Sequence, residues 1–211
     1  NQAFESAGYK DAFRIEVLPE DADPMDVRYN LIQWIHRSTR GWSYGASIVD
    51  PRTGEIIKGQ VSLGSLRVRQ DYMILSGLID NPNDIENKAL IKKTSLDRIR
   101  QLSAHEIGHT LGFAHNYISS ANNRSSVMDY PHPKIDIIDG DINIDNAYSK
   151  NIGDWDKVSV RYAYTDFQEN EEIKLNQIIE EAVNKGLYFL SDSDSRPVGS
   201  ANPFSHLWDN G

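Results

Sequence analysis

Residues 105 to 115 read His-Glu-Ile-Gly-His-Thr-Leu-Gly-Phe-Ala-His. His105 and His109 are four apart, so on a helix both imidazoles share one face and can grip one metal ion. Glu106 is rotated by about 100° around the helix axis from His105. It can flank the metal without binding it and take a proton from a water that the metal activates. Gly112 has no Cβ and is free to adopt a positive φ. A turn there lets His115 approach the ion from a third direction. Three histidines leave one tetrahedral corner for water, the arrangement of a catalytic zinc rather than a closed structural one. Zinc lowers the pKa of such a water toward about 7. The expected ligands of one Zn2+ are therefore His105, His109 and His115, with Glu106 as general base.

A second signal follows at Ser126-Val127-Met128-Asp129-Tyr130-Pro131. The pattern His-Glu-x-x-His-x-x-Gly-x-x-His followed by a Met in a tight turn resembles the metzincin clan of zinc metallopeptidases. That resemblance implies a twisted sheet and an active-site helix in an upper subdomain, about 1–115. A lower, mostly helical subdomain, about 116–211, carries the Met-turn. It makes Met128 the hydrophobic floor below the ligands, where a polarizable thioether fills an irregular gap. It gives Tyr130 a catalytic role at the oxyanion, with a tyrosine packed in the turn as the equal alternative. Asp129 either accepts a hydrogen bond from a ligand histidine or braces the turn. Asn116 departs from the Glu, Ser, Pro or Asp that several named families have after the third histidine. Residues 43 to 45, 49 to 56 and the Met-turn look more like a bacterial group of long, exported zinc-dependent metalloproteases without an assigned substrate. Export, and further domains of the same longer chain, are what that likeness implies.

Composition narrows the alternatives. The chain has 211 residues, 39% hydrophobic and 25% charged, with a net charge of -9 and no cysteine. Such a composition suits a globular domain. The acidic balance with no basic cluster argues against a nucleic-acid partner, since phosphate binding wants a Lys/Arg patch. No apolar run approaches the roughly 20 residues of a membrane span. Without cysteine, neither a disulfide nor a thiolate ligand is available, and a cysteine-switch latency mechanism cannot reside in these residues. Both ends read as cut, as in a piece of a longer protein. The carboxylates Asp136, Asp139, Asp141, Asp145, Asp154 and Asp156 raise calcium as a minor alternative, but they lack the Asp-x-Asp-x-Asp-Gly loop pattern.

The elements that must position the site read as follows. Residues 13 to 18 alternate apolar and polar and predict a strand. In 27 to 36, Val27, Tyr29 and Leu31 alternate while Leu31, Ile32, Trp34 and Ile35 also fit a helix, and the strand is the favoured reading. Residues 44 to 49 and 55 to 61 flank Asp50-Pro51-Arg52-Thr53-Gly54 and predict a hairpin. Residues 62 to 79 have helical character, with Leu63, Leu66, Tyr72, Met73, Leu78 and Ile79 as a buried face. A long helix runs from about 87 to 111, with Leu96, Ile99, Leu102 and Ile107 on its apolar side and Gly112 ending it. After a loop region, 135 to 144 predict a hairpin turning at Asp139-Gly140. Helices follow near 153 to 163 and 170 to 185, then an irregular tail from Ser191. The order predicts an α+β fold, metzincin-like by resemblance, with a twisted mixed sheet and the active-site helix.

The expected function is a zinc-dependent endopeptidase acting on a protein or peptide substrate. The alternatives are a zinc hydrolase of a non-protein substrate and a non-catalytic binding domain on a metzincin fold. By the resemblance, an extended substrate pairs with an edge strand, for which 55 to 61 is the candidate. Residues 130 to 133 would line the far wall of the specificity pocket, with His132 an exposed loop histidine.

Overall fold

In the computed structural model, residues 1–39, 41–195, 199 and 201–205 are described. The order is α1 Gln2–Ser6, β1 Leu31–Ile35, β2 Tyr44–Val49, β3 Ile56–Gly64, α2 Leu66–Leu78 and α3 Ile85–Thr110. A 3-10 turn at Tyr117–Ser120 follows, then β4 Asp136–Ile138, β5 Asp141–Asn143, α4 Asp154–Tyr164, α5 Glu171–Asn184 and a 3-10 turn at Asp192–Ser195. The fold is α+β, with a small mixed sheet and several helices. The chain forms two compact units. One comprises residues 24–112 and 131–151, the other 1–23, 113–130 and 152–211.

The first unit holds the sheet, in the order β1-β3-β2. β1 runs parallel to β3 and β2 antiparallel to it. The central strand β3 turns Val61 and Leu63 into a core shared with Leu102 of α3, against which Ile107 packs. A second core joins Leu75 of α2 and Ile91 of α3 to Ile144, Ala147 and Tyr148. Helix α3 starts at Asp84, whose carboxylate accepts the Glu86 N–H at 2.9 Å, an N-cap that satisfies an otherwise orphaned donor. It ends at Leu111, and Gly112 then takes φ +88°, the left-handed C-terminal glycine expected from its missing Cβ. The β4–β5 hairpin turns at Asp139-Gly140, with φ of 55° and 94°, as a two-residue turn with two positive φ values requires.

The buried faces of α2 and α3 differ in part from the apolar sets read off the sequence, although Leu102 and Ile107 reach the core as expected. On α2 the buried residues are Asp71 and Leu75, while Tyr72 and Met73 are exposed. On α3 they include Thr94, Ser95, Asp97, Arg98 and Gln101, and Leu96 is 47% exposed. The reason is a buried polar network. Arg67 forms an i,i+4 ion pair with Asp71 at 2.7 Å. The Arg98 guanidinium donates to Gln101 at 2.9 Å and lies 5.6 Å from the Tyr148 ring centroid. A helix whose inner face is built largely from buried polar and charged side chains hides its orientation from hydrophobic periodicity.

The second unit is mostly helical. Val158 of α4 packs with Ile178 and Ala182 of α5, bordered by Trp155, Phe167 and Leu187. Helix α1 lies against α4, with Phe4 and Tyr164 centroids 5.2 Å apart. It was invisible to periodicity because five residues complete barely more than one turn. Residues 13 to 18 are not a strand. Phe13 is drawn to Phe4, 6.2 Å between centroids, and Val17 is 94% exposed. Alternation specifies a strand only where a neighbouring strand takes up the hydrogen bonds. The expected irregular tail falls in part on residues 196–198, 200 and 206–211, which lie outside the described residues.

Candidate metal centre

Helix α3 carries the first two histidines as its own geometry dictates. His105 is buried, His109 half-buried, and their Nε2 atoms are 3.1 Å apart. Two imidazole nitrogens bound at 2.0–2.1 Å to one tetrahedral zinc are roughly 3.3 Å apart, so this pair already has the spacing the ion demands. Six residues further on, past the Gly112 turn, one ligand atom from each of His105, His109 and His115 lies within 4.8 Å of the other two. The three residues singled out by spacing therefore gather as a group able to hold a metal. An all-imidazole donor set suits zinc.

Glu106 is 3% exposed. Burial pushes its carboxyl up to about 7, against the opposing pull of a hydrogen bond from the Gly45 N–H and of the Arg98 charge. Gly45 lies on β2, and its lack of a side chain is required. A Cβ there would stand 1.9 Å from the Glu106 carbonyl oxygen. Sequence reasoning noted Gly45 only as part of a resemblance and missed its contact with Glu106. Gly45→Ala is expected to force β2 and α3 apart, destabilising the protein by about 1–3 kcal/mol as overpacking does. Melting temperature checks this; a variant with unchanged melting refutes the close approach.

His115 is oriented by three side chains of its own unit. Its Nε2 lies 3.0 Å from the Tyr130 hydroxyl. Its Nδ1 lies 2.8 Å from the Tyr117 hydroxyl and 3.1 Å from Asp192 Oδ2. Partial burial works to raise the Asp192 carboxyl, yet the His115 and Tyr117 contacts outweigh it and hold the group below the usual carboxylate range. Tyr130 thus sits on the Nε2 side of the ring. Asp192 and Tyr117 were missed, because a separation of 77 residues leaves no local signal.

The Met128 turn is tied to the loop after His115. The Asn116 N–H donates to the Met128 carbonyl at 2.5 Å, and Met128 is buried. Asp129 braces this turn. It accepts from the Ser120 N–H at 2.7 Å, the Ser120 hydroxyl at 2.5 Å and the Tyr130 N–H at 2.7 Å. Asp156, read in the sequence only as one of an acidic run, is buried beneath the turn. Its carboxylate accepts from the Ser126 hydroxyl at 2.6 Å, from the Val127 N–H at 3.0 Å and from Gly153 N–H at 2.6 Å. Elsewhere in that run Asp136 pairs with Lys134 and Asp154 with Lys157. His132 is exposed.

The strand expected to receive substrate is not an edge. β3 is paired on both sides, by β1 and β2, so its backbone groups are taken. Being last before the helices in sequence says nothing about position in a mixed sheet. Of the described strands in this sheet, β1 and β2 are the edges.

No helix among the described residues is long and apolar enough to cross a membrane. Comparison with curated proteins and with solved structures gives no match. Residues 87–211, which run from the start of the histidine-bearing helix to Gly211 and make up more than half of the chain, match the model of the Met-zincin family, and the chain belongs to that family.

Proposed function

We propose that this chain is a zinc-dependent endopeptidase that hydrolyses peptide bonds with Glu106 as general base. The observation that carries the reading is the three-histidine group, two of whose members lie on a helix that also holds a buried carboxylate with a pKa pushed up to about 7. His105, His109 and His115 would hold the zinc. When bound, zinc supplies Lewis acidity and an activated water near neutral pH. Glu106 takes the proton from the attacking water and passes it to the departing amine. The Tyr130 hydroxyl donates to the oxyanion as charge develops there. Met128 serves as the floor beneath the ligands.

For the substrate we favour an extended peptide laid along the edge strand β2. The Gly45 N–H reaches Glu106 from that strand, so a chain pairing there is carried past the base. Export and membership of a longer chain remain part of this reading by family likeness.

The test is cleavage of a diverse peptide library by the chain with its zinc content measured. One zinc per chain and cleavage are expected. A chelator should abolish cleavage and stoichiometric zinc should restore it, because the ligands bind only as neutral imidazoles around the ion. Zinc binding without cleavage of any peptide would sink the peptidase reading and leave a non-protein substrate or a binding role.

A further inference from the structure

His115 is gripped from behind by a segment that lies far along the chain. The Tyr117 N–H donates to the Leu190 carbonyl at 2.8 Å. The buried Asn116 side chain donates to the Tyr188 carbonyl at 3.0 Å and accepts the Leu190 N–H at 3.1 Å. Asn122 donates to the Gly186 carbonyl at 2.8 Å. Residues 186 to 190 are thus stitched to the loop that follows His115, and two residues later Asp192 meets the imidazole. Asn116, odd as a residue after a third histidine, has its role in that stitching.

We propose that Asp192 is a positioning residue of the metal centre, acting with Tyr117 to fix His115 in the tautomer that presents Nε2 to the metal. The inference rests on the reading of His115 as a ligand. The proton positions follow from the partners. A carboxylate only accepts, so the Tyr117 hydroxyl, 3.1 Å from Asp192 Oδ1, donates to it. The same hydroxyl, 2.8 Å from His115 Nδ1, must then accept there, so Nδ1 carries the hydrogen. Asp192 Oδ2, 3.1 Å from Nδ1, accepts that hydrogen as well. Nε2 is left with its lone pair, on the side where the Tyr130 hydroxyl lies. A carboxylate behind a ligand imidazole also raises its basicity, and loss of such a partner costs 10–100-fold in metal affinity in comparable sites, an order-of-magnitude expectation of about the same size here.

The test is zinc affinity, measured by chelator competition on the 211-residue chain. Asp192→Ala is expected to weaken zinc binding by about 10–100-fold. Asp192→Asn, which keeps an acceptor but does not compel the Tyr117 proton, should fall between it and the wild type. Asp192→Glu should recover most of the loss. Because the Asp192 side chain is 53% exposed, metal-free melting should stay within about 2–4 °C of wild type. The deciding arm is a double-mutant cycle. In a His115→Ala background, Asp192→Ala should have no further effect on zinc, since its influence runs through that imidazole. Wild-type and Asp192→Ala affinities within twofold of each other, or an equal loss in both backgrounds, overturn the inference alone. A wild type that binds no zinc overturns the metal site and this inference with it.

Discussion

Glu106→Gln is expected to lower turnover by about 10²–10⁴-fold, the usual contribution of a general base, with zinc still bound in full. The substitution separates the two roles of this helix turn. Glutamine keeps the shape and an oxygen that can accept the Gly45 N–H, so the approach of β2 to α3 survives. What it lacks is a basic oxygen. The pH profile adds a second readout with a defined sign. Burial holds the Glu106 carboxyl up at about 7, and only the ionised form is a base, so activity is lost as pH falls through its pKa. A cation on the three histidines pulls that pKa down, which places the acid limb of the loaded enzyme below about 7. A Glu106→Gln protein that binds zinc and turns over within tenfold of wild type would remove Glu106 from the mechanism.

How much of this centre was legible follows from the range of the interactions involved. His105, Glu106 and His109 are related by helix geometry alone, so spacing sufficed. Gly112 was legible because a positive φ selects for glycine, and Asp139-Gly140 for the same reason. The contacts that hold these parts in place are not local. Gly45 meets Glu106 through the packing of a strand on a helix. Asp156 reaches back 30 residues to Ser126, and Asp192 reaches back 77 to His115. No periodicity encodes such pairs. The position of β3 in the sheet was illegible for a related reason, since chain order does not fix strand order once a parallel pair is present. The face of α3 was read only in part: Leu102 and Ile107 reach the core as expected, but Leu96 is exposed while Asp97, Arg98 and Gln101 are buried. One trace of Asp156 did stand in the sequence. It is the third residue of α4 after Gly153, where a carboxylate reaches back to the N-cap backbone, the acidic half of a capping box.

Asp156→Ala is expected to destabilise the protein by about 3 kcal/mol, from hydrogen bonds to a charged acceptor worth about 1.5–3 kcal/mol each set against relief of its burial. Two effects compete at this side chain. Burial disfavours the ionised carboxyl and pushes its pKa above the usual range, while donors from Ser126, Val127 and Gly153 pull it back. Removing the carboxylate ends the burial penalty but strands those donors in a place with no replacement. The Val127 and Gly153 amides cannot turn elsewhere. Gly153 is held so closely to the turn that a Cβ on it would stand 1.9 Å from the Ser125 carbonyl oxygen. The Trp155 N–H also donates to that oxygen at 2.8 Å, so the start of α4 and the Met-turn form one clamped piece. At roughly 2–4 °C per kcal/mol for a domain of this size, the melting temperature should fall by about 6–12 °C. Because Ser126 also accepts the Met128 N–H at 2.9 Å, loosening it frees the Met-turn, which is tied through Asn116 to the loop after His115. Zinc affinity should therefore weaken along with stability, unlike at Asp192, where affinity falls and metal-free stability holds. A melting temperature within 2 °C of wild type would show that Asp156 does not brace the turn.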